Sequence, residues 1–256
     1  MPENFLSLIM PSLDITVLLV MMVTFFISGT VKGFLGIGLP AAAMGLLTLV
    51  TTPTHAIALL TLPIIFTNLT QFGRAANKVE IAKTYWVFAL AIMIAIFVTS
   101  LFINRYPTSF LTVSIGIAMI VFALNGLYGI RLPIGPGRGW QAGFGLVSGI
   151  LGGLSSIWSP TVAMYLIARN LEKDDFIAAT GFLFLAGCFP LALGLYLAGT
   201  LTVETMLQSL IGMVVVLTGF RIGEILRNHV PQQTFRKIVL IAFLCMGARL
   251  IAVGLF

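Results

Sequence analysis

Charge is scarce in this sequence. Asp and Glu number 8 and Lys and Arg 14 in 256 residues, so 9% of positions are charged while 59% are apolar. A water-soluble domain of this length does not manage with so little charged surface, which leaves an all-α polytopic membrane protein. The carboxylates are also badly placed for intramembrane work. Asp14, Glu80, Glu172, Asp174, Asp175, Glu204 and Glu224 all map to the ends of apolar runs or to the loops between them. A proton-coupled cation exchanger, which needs an acid deep in the membrane, is disfavoured.

Other absences narrow the reading further. Cysteine occurs only as Cys188 and Cys245, both inside apolar runs, so there is no disulfide framework and no CxxC pair; each reads as a packing residue. His55 and His229 stand on different segments without metal-ligand spacing. No HExxH, phosphate-binding P-loop, G-x-S-x-G or intramembrane carboxylate pair is present, so neither an enzyme site nor a cofactor nor a metal is expected. The first four residues carry no basic n-region, so a cleaved signal peptide is not expected. The net charge of +6 reflects basic residues held in short loops rather than a nucleic-acid partner.

What the sequence has is glycine, in a stretch that occurs twice. Gly29, Gly33 and Gly36 form G-x-x-x-G-x-x-G, followed by Gly38 and Pro40. Gly145, Gly149 and Gly152 form it again, followed by Gly153, Ser155, Ser156, Ser159 and Pro160. The glycines superpose at an offset of 116 and the prolines at 120, which implies a four-residue insertion in the second copy. On that alignment Ser148 takes the place of Lys32. Paired Gly/Pro-interrupted apolar segments in corresponding halves point to a transporter's binding site.

Apolar runs, free of charge except for Glu204 and Arg249, outline the membrane segments. In the first half they cover 15–31, 40–51, 54–72, 84–103 and 108–128; in the second, 140–152, 160–168, 176–198, 203–220 and 238–255. A linker rich in Gly and Pro, 129–139, separates a first repeat over 1–128 from a second over 140–256. The arms around the second motif hold 13 and 9 residues, roughly 20 and 14 Å of helix against a hydrocarbon core of about 30 Å. Each motif-bearing pair is therefore read as two short or broken helices that meet near the midplane, leaving six conventional spans, or more if 15–31 crosses. Arg74, Lys78, Lys83, Arg131, Arg138, Arg169, Lys173, Arg221, Arg227, Arg236 and Lys237 crowd alternate loops, against Arg105 alone on the other set, eleven to one. The crowded loops are assigned to the cytoplasm. The two halves then have opposite orientation, with both termini outside: two inverted repeats of five helical segments, each opened by a Gly-rich re-entrant pair.

Pro40 and Pro160 suit the first turn of a helix, and Ser159 is placed to cap the second one. Both short helices would then aim free N–H groups and a positive dipole end at the membrane centre, which suits an anion. The candidate binding residues are Gly29, Lys32, Gly33, Gly36, Gly38, Pro40, Ser148, Gly149, Gly152, Gly153, Ser156, Ser159 and Pro160. Two readings stay open at this stage. The glycines serve ligand approach or close helix packing, and Lys32 lends positive potential to a ligand or snorkels to the surface. Asn68, Gln71, Thr61 and Asn125 read as interhelical bridges; Trp140 and Arg249 read as interfacial anchors.

At these residues the sequence resembles the sulfite exporter TauE/SafE family of membrane transporters. The likeness rests on Ser28 to Gly38 with Pro40, on Gly145 to Gly153 with Pro160, Tyr165 and Leu166, and on Asp175-Phe176 with Thr180 to Phe184. It departs at Leu39, where a third glycine often extends the run. The resemblance implies a multi-pass protein of the bacterial cytoplasmic membrane that exports a small anion such as sulfite, sulfoacetate or a related sulfonate. The partners to expect are that anion, the lipid bilayer and a second copy in a homo-oligomer. An anion channel of the same architecture and a non-transporting membrane scaffold are the competing readings.

Overall fold

The structure is a computed structural model that describes residues 15–129, 133–135, 137–227, 229 and 231–256. Asn4, Asp14, Arg131 and Pro136 lie outside the described residues. The described chain is helix and connection, without strands: α1 (Ile15–Leu35), α2 (Leu39–Leu47), α3 (Pro53–Leu59), α4 (Thr61–Gly73), α5 (Lys78–Leu101), α6 (Thr108–Tyr128), α7 (Arg138–Ser155), α8 (Ser159–Ala168), α9 (Lys173–Leu197), α10 (Val203–Leu226) and α11 (Gln232–Leu255). Among these, α1, α5, α6, α9, α10 and α11 are long and apolar enough to cross a bilayer, and α3 with α4 makes a possible seventh span.

Local chemistry sets the ends of these elements. Asp174 and Asp175 occupy the first turn of α9 and Glu80 that of α5, where a negative charge meets the positive helix end. These polar turns let both helices begin well before the uncharged runs do. Thr202 and Thr205 cap α10 reciprocally. Gly129, at φ 60°, closes α6 in the left-handed region.

The span inventory bears on one point the sequence left open and differs from expectation at two others. α1 is itself of crossing length. α7 has 18 residues rather than 13, about 27 Å of helix. The run 54–72, expected as one helix, is broken at Leu60 and bent by 41°. The cause is Pro63, which cannot donate to the carbonyl of Leu59 and whose ring crowds it.

Close backbone contact organises the bundle. A Cβ at Gly29 would collide with the carbonyl oxygen of Val216, and one at Gly33 with that of Phe220. In return, Gly219 and Gly223 of α10 lie against the carbonyls of Phe26 and Thr30. Partner numbers rise together, so α1 and α10 run parallel. The same holds for α7 on α5, where Cβ atoms at Gly145 and Gly149 would lie 2.8 Å from the carbonyl oxygens of Phe88 and Ile92. Small residues are what allow such approach, and in lipid it is dispersion and packing that hold helices together. Exchanging the two halves interchanges these two pairs. The corresponding helices α6 and α11 instead pack antiparallel on each other, with Gly116 against Gly247, Gly126 against Leu240 and Gly254 against Val113.

These contacts also pair the two glycine motifs in a different register. Gly29 meets the oxygen of Val216 and the nitrogen of Phe220; Gly149 meets the oxygen of Ile92 and the nitrogen of Ile96. Gly33 and Gly153 then face the oxygens of Phe220 and Ile96. The equivalent pairs are thus Gly29 with Gly149 and Gly33 with Gly153, at the offset of 120 already shown by the prolines, and no insertion is needed. The position equivalent to Lys32 is Gly152, not Ser148.

Candidate functional site

The two motif breaks have matching geometry. Gly36 N–H donates to Lys32 O at 2.7 Å to close α1, and Ser156 N–H donates to Gly152 O at 2.7 Å to close α7. The closing residue is left-handed in both, at φ 79° for Gly36 and 57° for Ser156, and Gly38 follows at φ 97°. Glycine adopts these angles freely; serine does so at a cost. New helices start at once, with Ala42 N–H on Gly38 O at 3.0 Å and Val162 N–H on Trp158 O at 3.4 Å. Neither α2 nor α8 has a side-chain cap, and each carries its proline in the first turn. Ser159 was expected to cap α8. Trp158 holds the cap position instead, and Ser159 sits one residue inside the helix.

The two helix starts meet at one small cavity of about 10 Å³, lined by Lys32, Gly38, Leu39, Pro40, Ile64, Asn68, Ser156, Trp158, Ser159 and Phe184. That is room for about one water molecule. Lys32 is 2% exposed, so it does not snorkel. Its Nζ donates to Asn68 Oδ1 and lies 5.7 Å from the centre of the Phe184 ring. Among the described residues it has no carboxylate partner. Asn68 Nδ2 passes on to Cys188 Sγ at 3.8 Å, and Cys188 Sγ to Phe184 O at 3.0 Å. Burying an unpaired ammonium costs several kcal/mol.

Three further polar atoms on the same cavity are buried without a partner among the described residues: Ser156 Oγ, Trp158 Nε1 and Ser159 Oγ. Buried polar groups nearly always find a hydrogen bond, so three orphans beside one unpaired cation form an unusual cluster. All three can donate, and the helix starts contribute uncapped N–H groups. The chemistry of this donor set is complementary to an anion.

The other sequence candidates lie around this cavity rather than on it. Gly29, Gly33, Gly149 and Gly153 face neighbouring helix backbones or side chains, where they permit packing. Gly152 makes room for Trp158, whose ring a Cβ would approach to 2.6 Å. Ser148 Oγ bonds Thr161 Oγ1 at 2.5 Å and so ties α7 to α8. Pro160 is buried in the first turn of α8. Asn68 and Trp158 line the cavity although the sequence marked neither as a site residue; Asn68 carried a signal, as an uncharged polar residue deep in an apolar run.

Two wider cavities open at the end of the bundle that carries Arg74, Arg227 and Arg236. One, of about 360 Å³, reaches Phe34, Leu35 and Ile37 at the first break; the other, of about 440 Å³, reaches Gly36. Arg227 lines both, and its guanidinium donates to Phe34 O at 2.9 Å and to Gly33 O, capping the end of α1. At the same end Arg74 pairs with Glu224 at 2.6 Å and Asn77 Nδ2 donates to Asp175 Oδ1 at 2.6 Å, tying the α4–α5 turn to α10 and α9.

Comparison with known families matches residues 21–250 to the family described as Sulfite exporter TauE/SafE. No curated protein and no solved structure matches the chain.

Proposed function

Because the chain belongs to the sulfite exporter TauE/SafE family, a family of multi-pass membrane transporters, we propose that it exports a small sulfur-containing or organic anion held at the cavity between the starts of α2 and α8. The observation that carries this reading is Lys32: a buried lysine side chain without a carboxylate partner among the described residues, facing three unpartnered donors. An oxyanion there would neutralise the charge and accept from Ser156, Ser159 and Trp158 at once. Charge-assisted hydrogen bonds of this kind are the strong ones.

The transport cycle follows from the same geometry. The cavity has room for about one water molecule, less than a sulfur oxyanion needs, so the centre has to widen to load. The large cavities at the basic end supply the approach, and the eleven-to-one charge asymmetry supports a cytoplasmic position for that end. We read the halves 1–128 and 140–256 as inverted repeats about an axis in the membrane plane, joined by the cytoplasmic linker 129–139. The ligand site then lies near that axis, and rocking of the helix pairs exposes it to each side in turn. The contracted centre favours a carrier over an anion channel, whose conductance would far exceed carrier turnover.

Efflux of radiolabelled sulfite, sulfoacetate and thiosulfate from proteoliposomes tests the proposal. Saturable efflux of at least one, lost or weakened when Lys32, Ser156 or Ser159 is replaced, is the expected result. Absence of any flux from folded protein would favour the scaffold reading.

A further inference from the structure

The cavity of about 360 Å³ at the basic end has a composition unlike that of the central site. Most of its wall is apolar, with Phe34, Phe122 and Leu240 among the lining residues, yet Arg227 and Arg236 both reach it. Arg227 Nε and one terminal nitrogen bond the carbonyls of Phe34 and Gly33; Arg236 bonds Gly126 O at 3.0 Å through one terminal nitrogen. Each guanidinium has five N–H donors, so each keeps donors to spare. Among the described residues neither forms an ion pair with a carboxylate. Asn125, 4% exposed, lines the same cavity with its Oδ1 unpartnered among the described residues. A carboxamide can turn to offer either its oxygen or its two N–H donors.

A bare inorganic oxyanion fits this space poorly. It would fill a small part of the volume and lose hydration against the aromatic wall. An anion with an apolar body answers both features, its acid group on the arginines and its chain along Phe34, Phe122 and Leu240. We propose that this vestibule is a second binding site, separate from the central cavity, for an amphiphilic anion: an alkyl sulfonate or sulfate, or the phosphate and upper chain of an anionic lipid. Phe34 and Leu35 end α1 and Ile37 lies within the first break. An occupant therefore presses on the segment that has to move for the centre to widen, and holds the carrier still. The site is an inhibitory one.

The assignment does not depend on which anion the central cavity carries. The full chain in nanodiscs of zwitterionic lipid is titrated calorimetrically with methanesulfonate, butanesulfonate and hexanesulfonate. Affinity rises about fourfold per methylene until the cavity is filled. Arg236→Gln weakens hexanesulfonate tenfold or more, and Ile167→Glu, which sets a negative charge on the wall, abolishes its binding. In proteoliposomes, hexanesulfonate on the basic side slows efflux of the transported anion by wild type, and Arg236→Gln needs at least tenfold more of it for the same fractional slowing of its own rate. If nanodiscs containing phosphatidylglycerol lose hexanesulfonate binding, a lipid headgroup is the resident occupant and the site stands. Affinity independent of chain length, or unchanged in Arg236→Gln, overturns the proposal. Loss of all anion efflux with chain-dependent hexanesulfonate binding intact would count against the central transport site alone.

Discussion

Replacing Lys32 by methionine keeps the length and apolar stem of the side chain and removes its charge. In the empty protein two effects oppose each other. Asn68 Oδ1 loses its donor, at a cost of about 1 kcal/mol, while an ammonium buried without a carboxylate partner is no longer desolvated. The variant is therefore expected to accumulate and melt like wild type, or slightly above it. With the anion bound the balance changes, because a charge-assisted hydrogen bond contributes about 1.5–3 kcal/mol. Its loss corresponds to a roughly tenfold to hundredfold weaker affinity. Isothermal titration of purified protein with the anion that proves to be transported reads the affinity directly, and a melting curve without ligand reads the stability. Unchanged affinity in a well-folded Lys32→Met protein would refute the anion-contact role of Lys32 and make it a packing residue.

The remaining expectations concern the same geometry. Ser156→Ala and Ser159→Ala each remove an orphaned hydroxyl, so each should weaken anion affinity by up to about tenfold while leaving thermal stability level or raised, as titration and melting will show. Gly33→Ala brings a methyl group into the carbonyl of Phe220 and should cut the yield of folded protein, whereas Gly137→Ala, with open space around it, should express normally; size-exclusion yield compares them. Single cysteines at Asn4 and Gly137 should label from opposite sides with an impermeant reagent, and labelling from one side would end the inverted-repeat reading. A cell interior about 100 mV negative supplies roughly 2.3 kcal/mol per charge expelled, enough for about a fifty-fold gradient of a monoanion. Efflux from vesicles clamped with potassium and valinomycin should therefore quicken with inside-negative potential and, once protonation of the substrate itself is corrected for, ignore an imposed pH gradient; the reverse dependence would show that a proton travels with the anion.

Much of this protein is written in short-range pattern. Hydrocarbon cannot hydrogen-bond a backbone, so long uncharged runs in lipid have to be helices, and their lengths and flanking charges are visible by counting. Proline removes a donor wherever it stands, which is why Pro40 and Pro160 mark helix starts. What the count cannot see is which neighbour a helix face meets. A shift of one helical turn brings a G-x-x-x-G pattern back onto itself, so the offsets 116 and 120 look alike along the chain, and only the backbones of α10 and α5 choose between them. For the same reason Gly29 and Gly149 read equally well as ligand or packing residues until Val216 and Ile92 are seen against them. The bend at Leu60 was latent in Pro63. The burial of Lys32 was not latent in anything local, because an ammonium one turn from a helix end reaches solvent unless something covers it. Asn68 from α4 and Phe184 from α9 provide that cover, and residues so far apart in the chain are brought together by tertiary packing alone.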